Sequence, residues 1–111
     1  MKAPAKPEVE WEATQEFKDS WKTFLAAFPQ IKAAMTEFNR CKRATPPSQL
    51  PAKMSDHKLD GPLKGYMDCH LDNDVILIYK PMAHGAIKLL IVCQHKDLTG
   101  PRAKTLKKKI S

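Results

Sequence analysis

The chain has 111 residues, of which 42% are apolar, and a formal net charge of +7 with its four histidines neutral. This length suits one domain with its own core and excludes two independent domains of ordinary size. The basic balance favours a polyanionic partner. Three cysteines without a CxxC pair argue against a disulfide scaffold and against the usual zinc spacings. No apolar run approaches the roughly 18–20 residues that span a bilayer, and the first residues lack the apolar stretch of a signal peptide. We therefore expect a cytoplasmic protein with reduced thiols and no membrane contact.

Two helices are predicted in the first half of the chain, after a flexible arm over residues 1–8. A weak strand pattern at Val9–Trp11 precedes them. Apolar residues then recur every three or four positions, first as Ala13, Phe17, Trp21, Phe24 and Phe28, and after Pro29 as Ile31, Ala34, Met35, Phe38 and Cys41. This spacing is typical of amphipathic helices whose aromatic residues lie in the core, and Thr14 is a plausible N-cap of the first helix.

Three strands are predicted in the second half. Three prolines within Thr45–Pro51 end the helical region, and residues 53–62 show no period and are predicted to be a loop. From Leu63 the period becomes two, with apolar or small residues on one face of a strand and Lys64, Tyr66, Asp68 and His70 on the other. Further strands are predicted at 75–80 and 86–94.

These elements predict an α+β fold, with two N-terminal helices packed on one face of a small antiparallel sheet and the other face partly open. The folded domain is expected over residues 9–100. Residues 101–111 form a basic C-terminal tail with five cations and no acid, in which Pro101 could begin a short helix. The sequence leaves open whether this tail is a frayed, solvated end or a contact for nucleic acid.

Histidines are the residues best suited to chemistry on the open face. His57 precedes the sheet, His70 lies on the polar face of a strand, and His95 stands at the end of the last strand, whereas His84 in a turn is expected to be ordinary surface. Imidazole serves as acid or base because its pKa lies near neutrality. A lone histidine on a strand is nevertheless more often structural than catalytic, so spacing alone does not establish a site.

Cleavage of RNA without a metal needs three groups. A base takes the proton of the ribose 2′-OH, an acid protonates the departing 5′-oxygen, and cations stabilise the charge on the phosphoryl group. Asp68 or Asp74 could orient an imidazole, and Lys64 or an arginine could meet the phosphate. The sequence contains all of these groups, but composition alone cannot show that they meet.

A long motif carries a resemblance to a known family. The stretch DHKLDGPLKGYMDCHLDNDVILIYK, residues 56–80, resembles the YafQ branch of the RelE-type toxins. The branch has the pattern DH-x-L-x-G-x-x-K-G-x-x-D-x-H-x-x-x-D-x-x-L-I-Y, which this sequence matches at Asp56, His57, Leu59, Gly61, Lys64, Gly65, Asp68, His70, Asp74, Leu77, Ile78 and Tyr79. The late segment QHKDLTG resembles the closing T-H-x-D-L-F of the family, with Thr99 at the aromatic position.

The resemblance implies an endoribonuclease that acts on messenger RNA in the ribosome, without metal or cofactor, and is held inactive by an antitoxin from the same operon. By position, it implies His57, His70, Asp74 and His95 as catalytic residues, with Asp68 in support. His95 would be the general acid, His57 or His70 the general base, and Asp74 would orient a histidine. Contacts to RNA are expected from Lys53, Lys64, Tyr66, Thr99, Arg102 and Lys104, although Thr99 cannot supply aromatic stacking.

Three alternatives remain open at this point. A ParE-like toxin that inhibits gyrase would share the fold but would not need the histidines, so the presence of three argues against it. A plain basic RNA-binding module would bind RNA and release it uncut. A metal site built from histidine and cysteine residues is the third alternative.

Overall fold

The structure is a computed structural model, and it describes residues 11–111. Within these residues, three helices and one five-stranded sheet form in the chain order β1 (Glu12–Ala13), α1 (Gln15–Ala27), α2 (Ile31–Arg43), β2 (His57–Lys58), β3 (Met67–Asp72), β4 (Val75–Pro81), β5 (Ile87–Cys93) and α3 (Gly100–Ile110). The strand order is β1-β5-β4-β3-β2, with β1 parallel to β5 and the other neighbours antiparallel. The predicted α+β fold is confirmed, whereas the predicted arm over residues 1–8 lies outside the described residues.

The two predicted N-terminal helices are present. Thr14 caps α1: its hydroxyl accepts a hydrogen bond from the backbone N–H of Phe17 at 3.1 Å and donates one to the carbonyl of Leu90 at 2.9 Å. The helix therefore begins after Ala13, and the assignment of Ala13 to its apolar stripe was wrong, because this exposed residue pairs with β5. The first strand likewise lies at β1, beyond the predicted Val9–Trp11, whose first two residues are not described.

The helices α1 and α2 cover one face of the sheet and form the first core. Their buried residues are Phe17, Ile31, Met35, Phe38 and Cys41, and the strands contribute residues that include Cys69, Leu77 and Tyr79. Phe38 packs edge-on against Tyr79 with ring centroids 5.0 Å apart. The predicted apolar stripes from Phe17 onward thus face the sheet.

The opposite face of the sheet is covered in part by a third helix, whose packing was not predicted, and this face stays open around His57 and His95, whose side chains are about half exposed. Helix α3 packs Ala103, Leu106 and Ile110 against a second core, which includes Leu63, Ile76, Ile78, Leu90 and Ile91. A register shift between Ile78 and Tyr79 places the consecutive residues Leu90 and Ile91 in this same core. The C-terminal tail is therefore not a frayed end. Three apolar residues at helical spacing pack one side of α3 against the sheet, while its lysines remain exposed.

The segment between α2 and β3 is more ordered than a loop. It contains 3₁₀ turns at Ala52–Met54 and Gly61–Leu63, and between them β2 pairs with β3. The predicted strand from Leu63 begins four residues later, and the side chain of Leu63 lies in the second core. Elements of two or three residues carry no readable period, which explains both errors.

The three cysteines are buried free thiols, as predicted. Burial raises the pKa of Cys69 and Cys93, with nearby carboxylates adding to the effect. These thiols are therefore packing groups rather than nucleophiles. None of the helices described in residues 11–111 is long and apolar enough to cross a membrane.

Candidate active site

The pairing of β2 with β3 brings His57 beside Asp68. The two residues are direct cross-strand neighbours, and His57 Nδ1 lies 2.8 Å from Asp68 Oδ1. His57 therefore belongs to an edge strand, not to a loop. His70 follows Asp68 by two positions, so both side chains point to the same face of the sheet.

The pairing of β4 with β5 brings His95 beside Asp74. Ile76 lies opposite Cys93, and the same register continued by two residues sets Asp74 opposite His95. Oδ1 of Asp74 accepts a hydrogen bond from the backbone N–H of His95 at 2.8 Å and lies 2.7 Å from the ring Nδ1. These contacts, the backbone hydrogen bond first, lower the pKa of Asp74. The carboxylate is thus held in its charged form beside the imidazole.

The rings of His70 and His95 are in edge-to-face contact. Their centroids are 4.9 Å apart and their planes meet at 85°. Across the sheet, His57 lies on β2, His70 on β3, and His95 just beyond the end of β5. The three predicted histidines are thus gathered along one side of the molecule.

Asp68 is the buried acid of this group, with 2% of its surface exposed, which corrects its predicted place on an open face. Burial raises the pKa of Asp68, and the charges of His57, His70 and His95 oppose that shift. Its Oδ1 has no hydrogen-bond partner within the described residues, because the contact from His57 is close but poorly aligned.

The ring of His57 is held by the carbonyl of Ser55, which lies 2.7 Å from Nδ1. A carbonyl oxygen can only accept a hydrogen bond, so Nδ1 carries the proton and Nε2 is the unprotonated nitrogen of the neutral ring. About half of the His57 side chain is exposed (54%), so the ring can be reached from solvent.

A polar network anchors the backbone that carries His57. The hydroxyl of Tyr79 donates a hydrogen bond to Asp56, and Lys42 Nζ contacts the second oxygen of the same carboxylate at 2.7 Å. Burial and this hydrogen bond raise the pKa of Tyr79. Asp56 thus ties the start of β2 to both α2 and β4.

Comparison with known proteins assigns this arrangement to a family. A sequence profile described as "Bacterial toxin of type II toxin-antitoxin system, YafQ" matches residues 9–100. The chain belongs to the YafQ toxin family. The mRNA interferase toxin YafQ of Escherichia coli K12 is 58% identical to this chain over 31 residues, or 28% of this chain and 34% of that protein. A YafQ-named protein of Haemophilus influenzae is 52% identical over 31 residues, or 28% of this chain and 30% of that protein. The chain thus matches about a third of the length of these curated relatives.

Solved structures extend the likeness to most of the fold. YafQ from E. coli BL21(DE3) superposes with a TM-score of 0.62 at 28% identity, covering 82% of this chain and 98% of that one. The E. coli DinJ-YafQ toxin-antitoxin complex gives 0.63 at 27% identity, covering 84% and 99%. A metal-bound toxin from Helicobacter pylori gives 0.66 at 24% identity, covering 82% and 99%, and shows the fold alone.

The predicted RNA-contact residues differ in their exposure and in their neighbours. Lys53 is exposed on a 3₁₀ turn and, with His70, lines a cleft of about 740 Å³ between α2 and β3. Lys64 is exposed, whereas Tyr66 is half-buried with Lys80 Nζ 6.0 Å from its ring centroid.

The remaining three predicted contacts lie at and beyond the end of the YafQ-matched region. Thr99 is exposed where α3 begins, Arg102 approaches Asp97 at 3.7 Å, and Lys104 projects from α3 into solvent. Lys53 and Lys64 lie on turns before β3, and the turn at Gly61–Leu63, which Lys64 follows, packs against α3 through Leu63.

Lys42 and Tyr79 were not among the predicted site residues, although they fix the position of His57. Asp56 and Tyr79 belong to the motif that carried the YafQ resemblance. The motif therefore marked both residues, but it did not show that they anchor the backbone of His57. Lys42 lies outside that motif, and only the packing of α2 reveals it. Residues 11–111 contain no group of three or more His, Cys, Asp or Glu side chains arranged to hold a metal ion.

Proposed function

We propose that this chain is the toxin of a type II toxin–antitoxin system and cleaves messenger RNA on the ribosome by histidine acid–base catalysis, without a metal. The contact between His70 and His95, with Asp74 fixed on His95 and His57 on the same side of the sheet, is the observation that carries the proposal. The name of the E. coli relative, an mRNA interferase toxin, supports it.

The general base in this proposal is His57. Its Nδ1 donates a hydrogen bond to the carbonyl of Ser55, so Nε2 can take the proton of a ribose 2′-OH. The oxygen of that hydroxyl attacks phosphorus. Asp68 lies beside the ring and offsets the positive charge that the imidazole acquires.

The general acid is His95. As the bond from phosphorus to the 5′-oxygen breaks, Nε2 of the imidazolium gives its proton to that oxygen, so that the products are a 2′,3′-cyclic phosphate and a 5′-hydroxyl. The ionised Asp74 holds His95 in position through two contacts, one to the ring Nδ1 and one to the backbone N–H. His70 lies between the two, where it can donate a hydrogen bond to the phosphoryl oxygens.

Mapping the ends of a translated transcript by primer extension tests the proposal. Purified protein is added to translating ribosomes, and wild type is compared with His95→Gln. We expect the variant to cut about 10²–10⁴-fold more slowly, which is the usual contribution of a general acid. A chelator of zinc and other transition metals that spares the Mg²⁺ of the ribosome should leave the wild-type rate unchanged.

The matched control is His84→Asn. His84 is an exposed turn residue with φ of 59°, a conformation that asparagine tolerates, and it lies away from the other histidines in sequence and pairing. The control should cut like the wild type. Equal cutting by His95→Gln would refute the mechanism. No new transcript ends, with growth inhibition intact, would instead favour a ParE-like toxin acting on gyrase, and RNA binding without cutting would favour a plain binding module.

An antitoxin is the proposed protein partner, on the precedent of the E. coli DinJ-YafQ complexes. We expect this antitoxin to be acidic, since the toxin carries a net charge of +7. The proposal also sets the site of action in the cytoplasm, where ribosomes complete the geometry around the scissile phosphate. Equal cleavage of naked and ribosome-bound RNA would contradict that role of the ribosome.

A further inference from the structure

Helix α3 stands outside the part of the chain that matches the family. The family profile ends at residue 100, whereas α3 spans Gly100–Ile110. The E. coli YafQ structure is covered over 98% of its length by only 82% of this chain. The basic helix is therefore an addition to the shared fold, and the family resemblance assigns no role to it.

The outward surface of α3 is mostly cationic. Its buried residues are Ala103, Leu106 and Ile110, and its exposed positions are Gly100, Pro101, Arg102, Lys104, Thr105, Lys107, Lys108 and Lys109. Arg102 has Asp97 at 3.7 Å, but none of the four lysines forms an ion pair within residues 11–111. Lys104, Lys107 and Lys108 thus project from a helix whose other side is fixed by packing, whereas Lys109 lines a cleft that also contains Glu16, Asp19 and Asp97.

This charged surface borders the histidine site. Asp68 and His70 lie directly opposite Ile78 and Ile76 on β4, and directly paired residues project from the same face of a sheet. The two isoleucines belong to the core that α3 covers. Helix α3 and the histidines therefore share one face of the sheet, and only the turn at residues 95–98 separates His95 from the start of the helix.

The arrangement of the lysines suits a chain of phosphates. Lys104, Lys107 and Lys108 are spaced i, i+3 and i+4, which puts their Cβ atoms roughly 5–6 Å apart on one side of a helix. Lysine is a point charge that meets phosphate oxygens in many geometries, without reading bases. The helix is already ordered, so on the protein side binding restricts only the lysine side chains.

We propose that the lysine surface of α3 (Lys104, Lys107 and Lys108) binds the phosphate backbone of single-stranded RNA next to the histidine site. This inference rests on the proposed nuclease function and adds a docking surface for its substrate. An acidic protein segment is the less suitable occupant: the exposed side of α3 offers no large apolar side chain as an anchor, and lysine is depleted in protein–protein interfaces.

The test is a binding experiment with the full chain and an RNA that cannot be cut. The probe is a short single-stranded 2′-O-methyl RNA, which lacks the attacking hydroxyl, and its Kd is measured by fluorescence anisotropy over a salt series. The variant is Lys104→Gln/Lys107→Gln/Lys108→Gln. The matched control is Lys18→Gln/Lys22→Gln/Lys32→Gln, which removes equal charge from exposed positions of α1 and α2, the helices on the other face of the sheet.

We expect the α3 variant to bind about tenfold or more weakly at low salt, with the slope of log Kd against log salt reduced by about 2, since each phosphate contact on a single strand contributes roughly 0.7. The control should keep the wild-type slope. Equal slopes and affinities for wild type and the α3 variant would overturn the inference.

Two further measurements distinguish RNA docking on α3 from binding of an acidic protein and from the proposed nuclease function. Polyglutamate, as an acidic polypeptide, is titrated in parallel; loss of polyglutamate binding alone, with RNA binding intact, would overturn the proposal in favour of a protein partner. If the wild-type protein proves unable to cut RNA but the α3 variant still loses its salt slope, the docking surface stands and the nuclease function fails. If the wild type cuts and the variant binds and cuts identically, only the docking surface fails.

Discussion

At the scale of residues, two carboxylates near the same histidines are shifted in opposite directions. Exposed Asp74 accepts hydrogen bonds from His95, which lower its pKa, whereas burial raises the pKa of Asp68. The pattern suits two roles: Asp74 keeps a fixed charge beside the proposed acid, and Asp68 serves as a buried neighbour of the proposed base.

Asp74→Asn tests the first of these roles. The amide oxygen can still accept from the backbone N–H of His95, so the turn should fold, but the charge beside the ring is lost. We expect cleavage to slow by about tenfold or more, part of the roughly 10²–10⁴ that a general acid supplies. Single-turnover cleavage of a translated transcript measures it, and Asp60→Asn, an exposed loop residue, is the control.

The pH dependence follows from the direction of the shift. Because the folded pKa of Asp74 is lowered, its carboxylate is charged above the unfolded value of about 3.9, and its contact is lost only as the pH falls further, through the folded pKa. The difference in unfolding free energy between wild type and Asp74→Asn, measured by urea titration, should therefore shrink as the pH falls below about 4, where this carboxylate becomes protonated. A difference that does not shrink in acid would contradict the assignment.

Tyr79→Phe tests the anchor of His57. The change removes the donor to Asp56 and leaves the carboxylate with Lys42 alone, so we expect the free energy of unfolding to fall by about 1–3 kcal/mol in urea titrations. The pKa of Tyr79 is raised, so its contribution is complete below the unfolded value of about 10 and is lost as the pH rises through the folded pKa. The difference between wild type and variant should therefore shrink in alkali.

The control for this anchor is Tyr66→Phe. Tyr66 is half-buried, and its hydroxyl makes no hydrogen bond within the described residues. The free energy of unfolding of the Tyr66→Phe variant should stay close to that of the wild type. A Tyr79→Phe variant as stable as Tyr66→Phe would show that Asp56 is held without the phenol.

At the scale of elements, α3 changes the architecture most. A segment in which five of eleven residues are cationic folds onto the sheet because three apolar side chains recur at helical spacing. Leu106 lies in the middle of this apolar row, with 5% of its surface exposed. The helix gives the sheet a second core and carries the lysine surface.

Leu106→Ala measures how firmly α3 is held. We expect the free energy of unfolding to fall by about 2–5 kcal/mol, from lost burial and the resulting cavity. Urea unfolding followed by circular dichroism provides the measurement. Thr105→Ala, one position away and exposed, should change stability by no more than about 0.5 kcal/mol. Equal small effects of both changes would mean that α3 is only loosely docked.

At the scale of the whole molecule, the sequence determined the parts that have a clear period or a long motif. The stripes from Phe17 to Cys41 predicted both helices, the alternation near Cys69 and Leu77 predicted strands, and the motif over residues 56–80 indicated the family. These signals are local, because each is set by side chains a few residues apart along one helix or strand.

Tertiary structure alone decided the rest. Only strand pairing sets Asp68 against His57 and Asp74 against His95, and only the docking of α3 buries part of a face that the sequence left open. The partners of Asp56 likewise come from α2 and β4, 14 and 23 residues away. Such contacts depend on how elements pack in space, and the amphipathic pattern of an element tells which of its faces is buried but not what lies against it.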